Sequence, residues 1–108
     1  MTDEFTSTQP IYRQIVERVC RRIVRGELLP GDKLPSVRDM AVESGVNPNT
    51  VQRVYVELER MTVVETRRGQ GTFVTQDETR LIELRRELRY KHISDFVRDM
   101  TEMGFGNE

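Results

Sequence analysis

The sequence has no tryptophan, one cysteine and one histidine in 108 residues. A lone Cys20 excludes an internal disulfide framework. With His92 as the single histidine, a Cys/His zinc site within one chain is disfavoured. No apolar run approaches the ~20 residues that a membrane-spanning helix needs, so no membrane partner is expected. The N-terminus, MTDEFTSTQP, is acidic and lacks the apolar core of a secretory signal. A cytoplasmic location is the default these absences leave. Catalytic groupings are missing as well. There is no nucleophile–base pair, carboxylate pair or metal cluster, so neither an enzyme nor a cofactor is expected. An excess of positive charge is also lacking, since the net charge is −1. Residues 33–75 carry only one more cation than anion, and residues 76–108 carry two more anions than cations. A nucleic-acid reading therefore has to rest on where the cations sit.

What is present is organised around SVRDMAVESGVNPNTVQRVYV, residues 36–56. Ser36 precedes an apolar-periodic run and has Asp39 three residues on, a capping-box signature. Val37, Met40 and Ala41 share a helical face, and Gly45 is placed to stop that helix in a left-handed conformation. Asn47 and Pro48 restart the chain as N-cap and first helical residue. In the second helix Val51, Val54, Tyr55 and Leu58 face inward. Asn49, Thr50, Gln52 and Arg53 point out near its start. A helix–turn–helix presents bases with the first turns of its second helix, and amides, hydroxyls and arginine read base edges. The plain alternative is the solvated face of a helical hairpin.

On the N-terminal side, residues 1–9 are polar and expected to fray. A first helix follows from Pro10, with Ile11, Ile15, Val19 and Ile23 at i+4 and Tyr12, Val16 and Cys20 widening the stripe. Gly26 stops it. Cys20 reads as a small buried hydrophobe rather than a reactive thiol. ELLPGDKLP, residues 27–35, is a loop with a short extended piece at Leu28 or Leu34. After the second helix of the motif, residues 63–66 and 72–75 read as two strands across Arg67-Arg68-Gly69-Gln70-Gly71, a β-hairpin. Three helices and a hairpin are the order of a winged helix. Arg38, Arg53, Arg67 and Arg68 fall where a duplex would lie, and an arginine at such a tip can enter a minor groove.

Residues 10–75 resemble the DNA-binding domain of GntR-type bacterial transcription regulators. The matching stretches are PIYRQIVERV, RRIVRGELLPGDKLPSVRDMAVESGVNPNTVQRVYVELER and ETRRGQGTFV. NPNTVQR and a short helical tail point to the YtrA-like subfamily. The resemblance implies a dimeric winged-helix repressor, often of a neighbouring transporter operon. It carries DNA contacts onto Arg38, onto Asn47, Asn49, Thr50, Gln52 and Arg53, and onto the wing-tip pair Arg68 and Gly69. In most relatives a glycine stands shortly after LER, whereas Met61-Thr62 stands in this chain. Threonine disfavours positive φ, so the helix is expected to end differently and tilt the wing.

Residues 76–108 read as one long helix, about Glu78 to Met103, closed by Gly104, with Asp77 and Glu78 suiting its N-terminus. Its stripe is Leu81, Leu84, Leu88, His92, Phe96, Met100 and Met103, broadened by Ile82, Ile93 and Val97. This surface is expected to pack on the first helix or on a second chain. Residues 10–75 should then fold alone, and the dimer interface should comprise Leu81, Leu84, Leu88, His92, Phe96 and Met100. The stop at Glu108 suggests a truncated or reduced tail, too small to enclose a pocket of a few hundred Å³. His92 reads as a partly buried or interface histidine; a pH- or metal-responsive dimer contact is the sharper option. The expected architecture is α+β, mainly α: a winged helix-turn-helix domain followed by a C-terminal helical dimerisation tail. The expected partners are double-stranded DNA and a second copy of the chain, with an unidentified small-molecule effector left open. The alternative is a winged-helix protein-interaction module without DNA binding.

Overall fold

The computed structural model describes residues 9–102, without the side chains of His92, Thr101 and Glu102. The expectations for residues 1–8, for the His92 side chain and for Met103 and Gly104 lie outside the described residues. The element order is α1 (Ile11–Val24), α2 (Val37–Ser44), α3 (Pro48–Arg60), β1 (Val64–Arg67), β2 (Gly71–Val74) and α4 (Glu78–Glu102). Helix α1 buries Ile15, Val16, Val19, Cys20 and Ile23. Ile11 is 44% exposed, so the buried stripe starts one turn later than its i+4 spacing suggests. Burial pushes the Cys20 thiol up to about 12, which keeps it protonated and inert.

The turn between α2 and α3 is built by local caps. The Ser36 hydroxyl accepts the Asp39 N–H at 3.1 Å. Gly45 ends α2 at φ +68°, a conformation that costs glycine little. The Asn47 Oδ1 accepts the Asn49 N–H at 2.7 Å, and Pro48 opens α3 where its missing N–H is no loss. Met40 and Ala41 of α2 are buried in one core with Val51, Val54, Tyr55 and Leu58 of α3. The Tyr55 hydroxyl donates to the Pro35 carbonyl, fastening α3 to the segment that enters α2.

Helix α3 ends in a complete Schellman motif. The Thr62 N–H donates to Glu59 at 2.9 Å and the Val63 N–H donates to Leu58 at 3.2 Å, with Leu58 and Val63 both fully buried. Thr62 takes the left-handed position at φ +60°. The expectation that threonine would force a different ending is therefore corrected. The backbone accepts a cost of roughly 1–2 kcal/mol for an L-residue there, and a side chain from α4 compensates: Arg80 Nε donates to the Met61 carbonyl at 2.9 Å and to Thr62 Oγ1 at 3.1 Å.

The hairpin pairs Val64 with Val74, Glu65 with Phe73, Thr66 with Thr72 and Arg67 with Gly71. Each strand lies one residue from its expected place, because Val63 is taken up by the helix cap and Gly71 is pulled into the ladder. The incoming loop adds a third rung. Val74 N–H donates to Asp32 and Leu34 N–H to Thr72, both at 2.8 Å, and Lys33 bridges Phe73.

Helix α4 starts at an Asp77 cap, whose Oδ1 accepts the Arg80 N–H at 3.2 Å. At 25 residues it is about 37 Å long. Its Leu84 is 1% exposed in the protomer, and Leu81 and Leu88 pack beside it on the core. One expectation is corrected by this, since Leu84 has no surface left for a dimer interface. The core that residues 10–75 build is shared with Leu84. The rest of α4 projects, so the radius of gyration is 15.5 Å against about 13 Å for a compact chain of this length.

Candidate nucleic-acid interface

The outward side of α3 begins at its cap. Asn49, Gln52 and Arg53 are exposed, and Thr50 is half-buried at the flank. The Asn47 side chain is exposed too, but its oxygen is committed to the cap, which leaves its NH₂ as the free group. The Arg53 guanidinium lies 3.8 Å from the centre of the Tyr12 ring of α1, so it is held against α1 rather than loose above α3. One residue on this face escaped sequence reasoning. Val56 is 58% exposed one turn beyond Gln52, and an apolar contact of this kind suits a thymine methyl. The outward arc of α3 at 100° per residue contains it, but its hydrophobicity drew attention inward.

The balance of charge conceals a local surplus. Arg21, Arg22, Arg25 and Arg60 are paired with Glu17, Glu27 and Glu57. The Arg60 contact holds the Glu57 carboxyl below its ordinary range. Arg67 is half-buried, 3.4 Å from Glu65 and stacked 4.2 Å from the Phe73 ring centre. By contrast Lys33, Arg38 and Arg68 are exposed and carry no ion pair among the described residues. Arg38 is in the first turn of α2. Arg68 and Gly69 form the hairpin tip, with Gly69 at φ +75°. Lys33 was not expected at the site. Its stem crosses Gly71 so closely that a Cβ there would stand 2.7 Å from Lys33 Cε. A Lys–Gly contact across the ladder has no local sequence signal, because it needs the third rung.

Helix α4 presents two apolar faces. Leu81, Leu84 and Leu88 dock on the core, and Lys91 continues the contact as an ion pair to Glu17 of α1 at 3.3 Å. Ile82, Tyr90, Ile93, Phe96 and Val97 are each more than half exposed, and Met100 is half-buried. Between α1 and the docked face runs a cleft of about 430 Å³, floored by Val16, Cys20, Leu84 and Leu88 and edged by Arg13 and Glu17. The cleft is open to solvent and takes its second wall from α1 rather than from the tail. Among the described residues no group of three metal-ligating side chains occurs, and no helix is long and apolar enough to cross a membrane.

A capped helix–turn–helix followed by a basic-tipped hairpin defines a winged helix of the kind that transcription regulators use. Residues 11–74 match the family model described as "Bacterial regulatory proteins, gntR family", and the chain belongs to the GntR family. It is 51% identical to the HTH-type transcriptional regulator YhcF of Bacillus subtilis, over its whole length and 89% of that protein. It is 46% identical to the HTH-type transcriptional repressor YtrA of the same organism, over 71% of this chain and 60% of that one. A solved GntR family regulator from Listeria monocytogenes superposes with a TM-score of 0.82 at 38% identity, covering 95% of this chain and 90% of that one. The YtrA-like affiliation and the non-enzymatic, regulatory character of the chain follow from these matches.

Proposed function

We propose that this GntR-family regulator represses transcription by binding a palindromic operator as a homodimer in the cytoplasm. The start of α3 enters the major groove, the β1–β2 tip enters the minor groove, and each protomer reads one half-site. The observation that carries this reading is the distribution of uncompensated charge. Lys33, Arg38 and Arg68 carry no ion pair among the described residues and stand before α2, in its first turn and on the wing, while four other head arginines are each paired to a glutamate, Arg22 and Arg25 sharing Glu27. Phosphate contacts of this kind position a protein, and base contacts specify its site. Asn49, Gln52 and Arg53, with Thr50 at the flank and the Asn47 amide, are the base-reading set. Arg67 supports the tip through its stack on Phe73.

The second copy docks on the exposed face of α4, through Ile82, Tyr90, Ile93, Phe96, Val97 and Met100. The relative YtrA, named a repressor, supports the sign of regulation; a neighbouring, transporter-linked operon is what the family resemblance implies. For a small-molecule effector the α1–α4 cleft is a candidate seat.

The test is selection of bound fragments from random DNA by the full chain. The expected product is an inverted repeat with half-sites about 34 Å apart or a multiple of that. Repeating the selection with Gln52→Ala should change the preferred base at one position in each half-site. Recovery of no enriched sequence would overturn the reading.

A further inference from the structure

We propose that Arg80 is a positioning residue that locks the angle between α4 and the DNA-reading head, and so sets which half-site spacing the dimer accepts. The inference rests on the dimeric DNA-binding reading above. It starts from a mismatch at the end of α3, where a β-branched threonine occupies the left-handed position that glycine fills most easily. The neighbouring carbonyl and the threonine hydroxyl are both gripped by Arg80 Nε, at 2.9 Å and 3.1 Å. The same guanidinium is held on its far side by its own helix. Its Nη1 lies 3.6 Å from Glu83 and 3.2 Å from Glu87. The side chain is only 14% exposed. A planar fork with all its sides engaged has little freedom to swing.

The consequence is mechanical. Leu81, Leu84 and Leu88 hold α4 against α1 by apolar contact, and the polar ties on that side, Arg85 to the Val24 carbonyl and Lys91 to Glu17, reach only α1. Arg80 adds a directional tie from the first turn of α4 to Met61 and Thr62, the cap residues that follow α3. The exposed face of α4 meets the second copy, and the start of α3 meets the operator. The angle between them decides how far apart the two recognition helices stand. Specific spacing therefore depends on a rigid joint at Arg80, and a threonine that offers its hydroxyl serves that joint better than glycine would.

The experiment uses the full chain and measures binding to a single half-site and to palindromes whose spacing is varied one base pair at a time. Wild type should discriminate the best spacing from its neighbours by about tenfold or more, the range of an ordinary coupling. Arg80→Met keeps the stem and removes the donors. It should leave half-site affinity unchanged and reduce the discrimination to within about threefold. Because Arg80→Met leaves the Thr62 hydroxyl only its own bond to the Met61 carbonyl, the double variant Arg80→Met/Thr62→Gly is the second arm. Glycine relieves the backbone, so thermal stability should return while spacing discrimination stays lost. If discrimination returns together with stability, Arg80 is merely structural and the inference is overturned. Unchanged discrimination in Arg80→Met overturns it as well. A wild type that binds half-sites but shows no spacing preference overturns the dimeric reading and the joint with it, whereas loss confined to the variants leaves that reading standing.

Discussion

The two halves of α4 carry similar numbers of large apolar side chains and use them for opposite purposes. From Glu78 to Leu88 the helix is part of the protomer: Leu84 is fully buried and Leu81 and Leu88 lean on the same core. From Tyr90 to Met100 it carries Ile93, Phe96 and Val97 more than half exposed, with the ion pairs of Lys91 to Glu17 and Asp95 marking the changeover. At 100° per residue the docked leucines and the exposed set with Ile82 lie roughly 140° apart around the helix. A gradually drifting single stripe would place them far closer together. The helix is therefore a connector with two apolar faces, one spent within the chain and one available to another molecule.

The sharpest way to break that contrast is to place a carboxylate on each face. Leu84→Asp should unfold the protomer, since even Leu→Ala at a fully buried site costs about 2–5 kcal/mol, and a buried unpaired charge adds to that. Urea unfolding followed by circular dichroism reads this directly. A chain cut after Thr75 should be destabilised in the same way, because Val16 and Cys20 lose the leucines that cover them. A fully stable truncated head would show that the docked half is dispensable.

The corresponding change on the other face is Ile93→Asp with Phe96→Asp. The helical signal and the protomer's core should survive, while sedimentation equilibrium reports a monomer. Affinity for a palindrome should fall by about 10²–10⁴-fold, the advantage that a tethered second contact supplies. A double variant that still sediments as a dimer would move the interface elsewhere on the molecule.

This contrast also marks where sequence reasoning ran out. The α2–turn–α3 unit was legible because each boundary has a signature within three residues: Ser36 with Asp39, Gly45, and Asn47-Pro48. The strands slipped by one because Val63 belongs to a helix cap that only the position of Leu58 explains. The left-handed Thr62 was illegible, since its support comes from Arg80, eighteen residues on. The two faces of α4 merge into one stripe in the sequence, because periodicity locates apolar residues on a helix and does not say which partner covers them. For the same reason the stack of Arg53 on Tyr12, which joins α3 to α1, could not be anticipated, while that of Arg67 on Phe73 needs the strand register.

A gentler probe of the docked half is alkali. Cys20 lies under Leu84 and Leu88, and burial raises its thiol to about 12 from an ordinary 9.0. The fold thus favours the protonated thiol. Its contribution to stability is complete below pH 9 and is lost as pH rises towards 12, where the unfolded chain releases the proton more readily. Tyr55, raised to about 12 by burial, works in the same direction. Stability should fall between pH 9 and 11, and Cys20→Ala should make that fall shallower while leaving the Tyr55 share. An equal slope in both proteins would mean that solvent reaches the thiol and that the α1–α4 contact is looser than its packing indicates.

The smallest effect separates the head from the exposed half of the tail by salt alone. Lys33 on the wing side and Arg89 on α4 are both exposed and without an ion pair among the described residues. Their net charges are the same, so a purely global effect of charge would treat Lys33→Met and Arg89→Met alike. Counterion release is local: only a cation that meets a phosphate displaces condensed ions, and each such contact contributes about 0.9 to the slope of log K against log salt. Lys33→Met should flatten that slope by about one unit and weaken all sequences to the same degree, because phosphate contacts carry no base information. The methionine keeps the stem that packs over Gly71, so thermal stability should not change. Arg89→Met should leave the slope as it was. A flattened slope in Arg89→Met would bring the tail onto the duplex, and an unchanged one in Lys33→Met would take the wing side of the head off it.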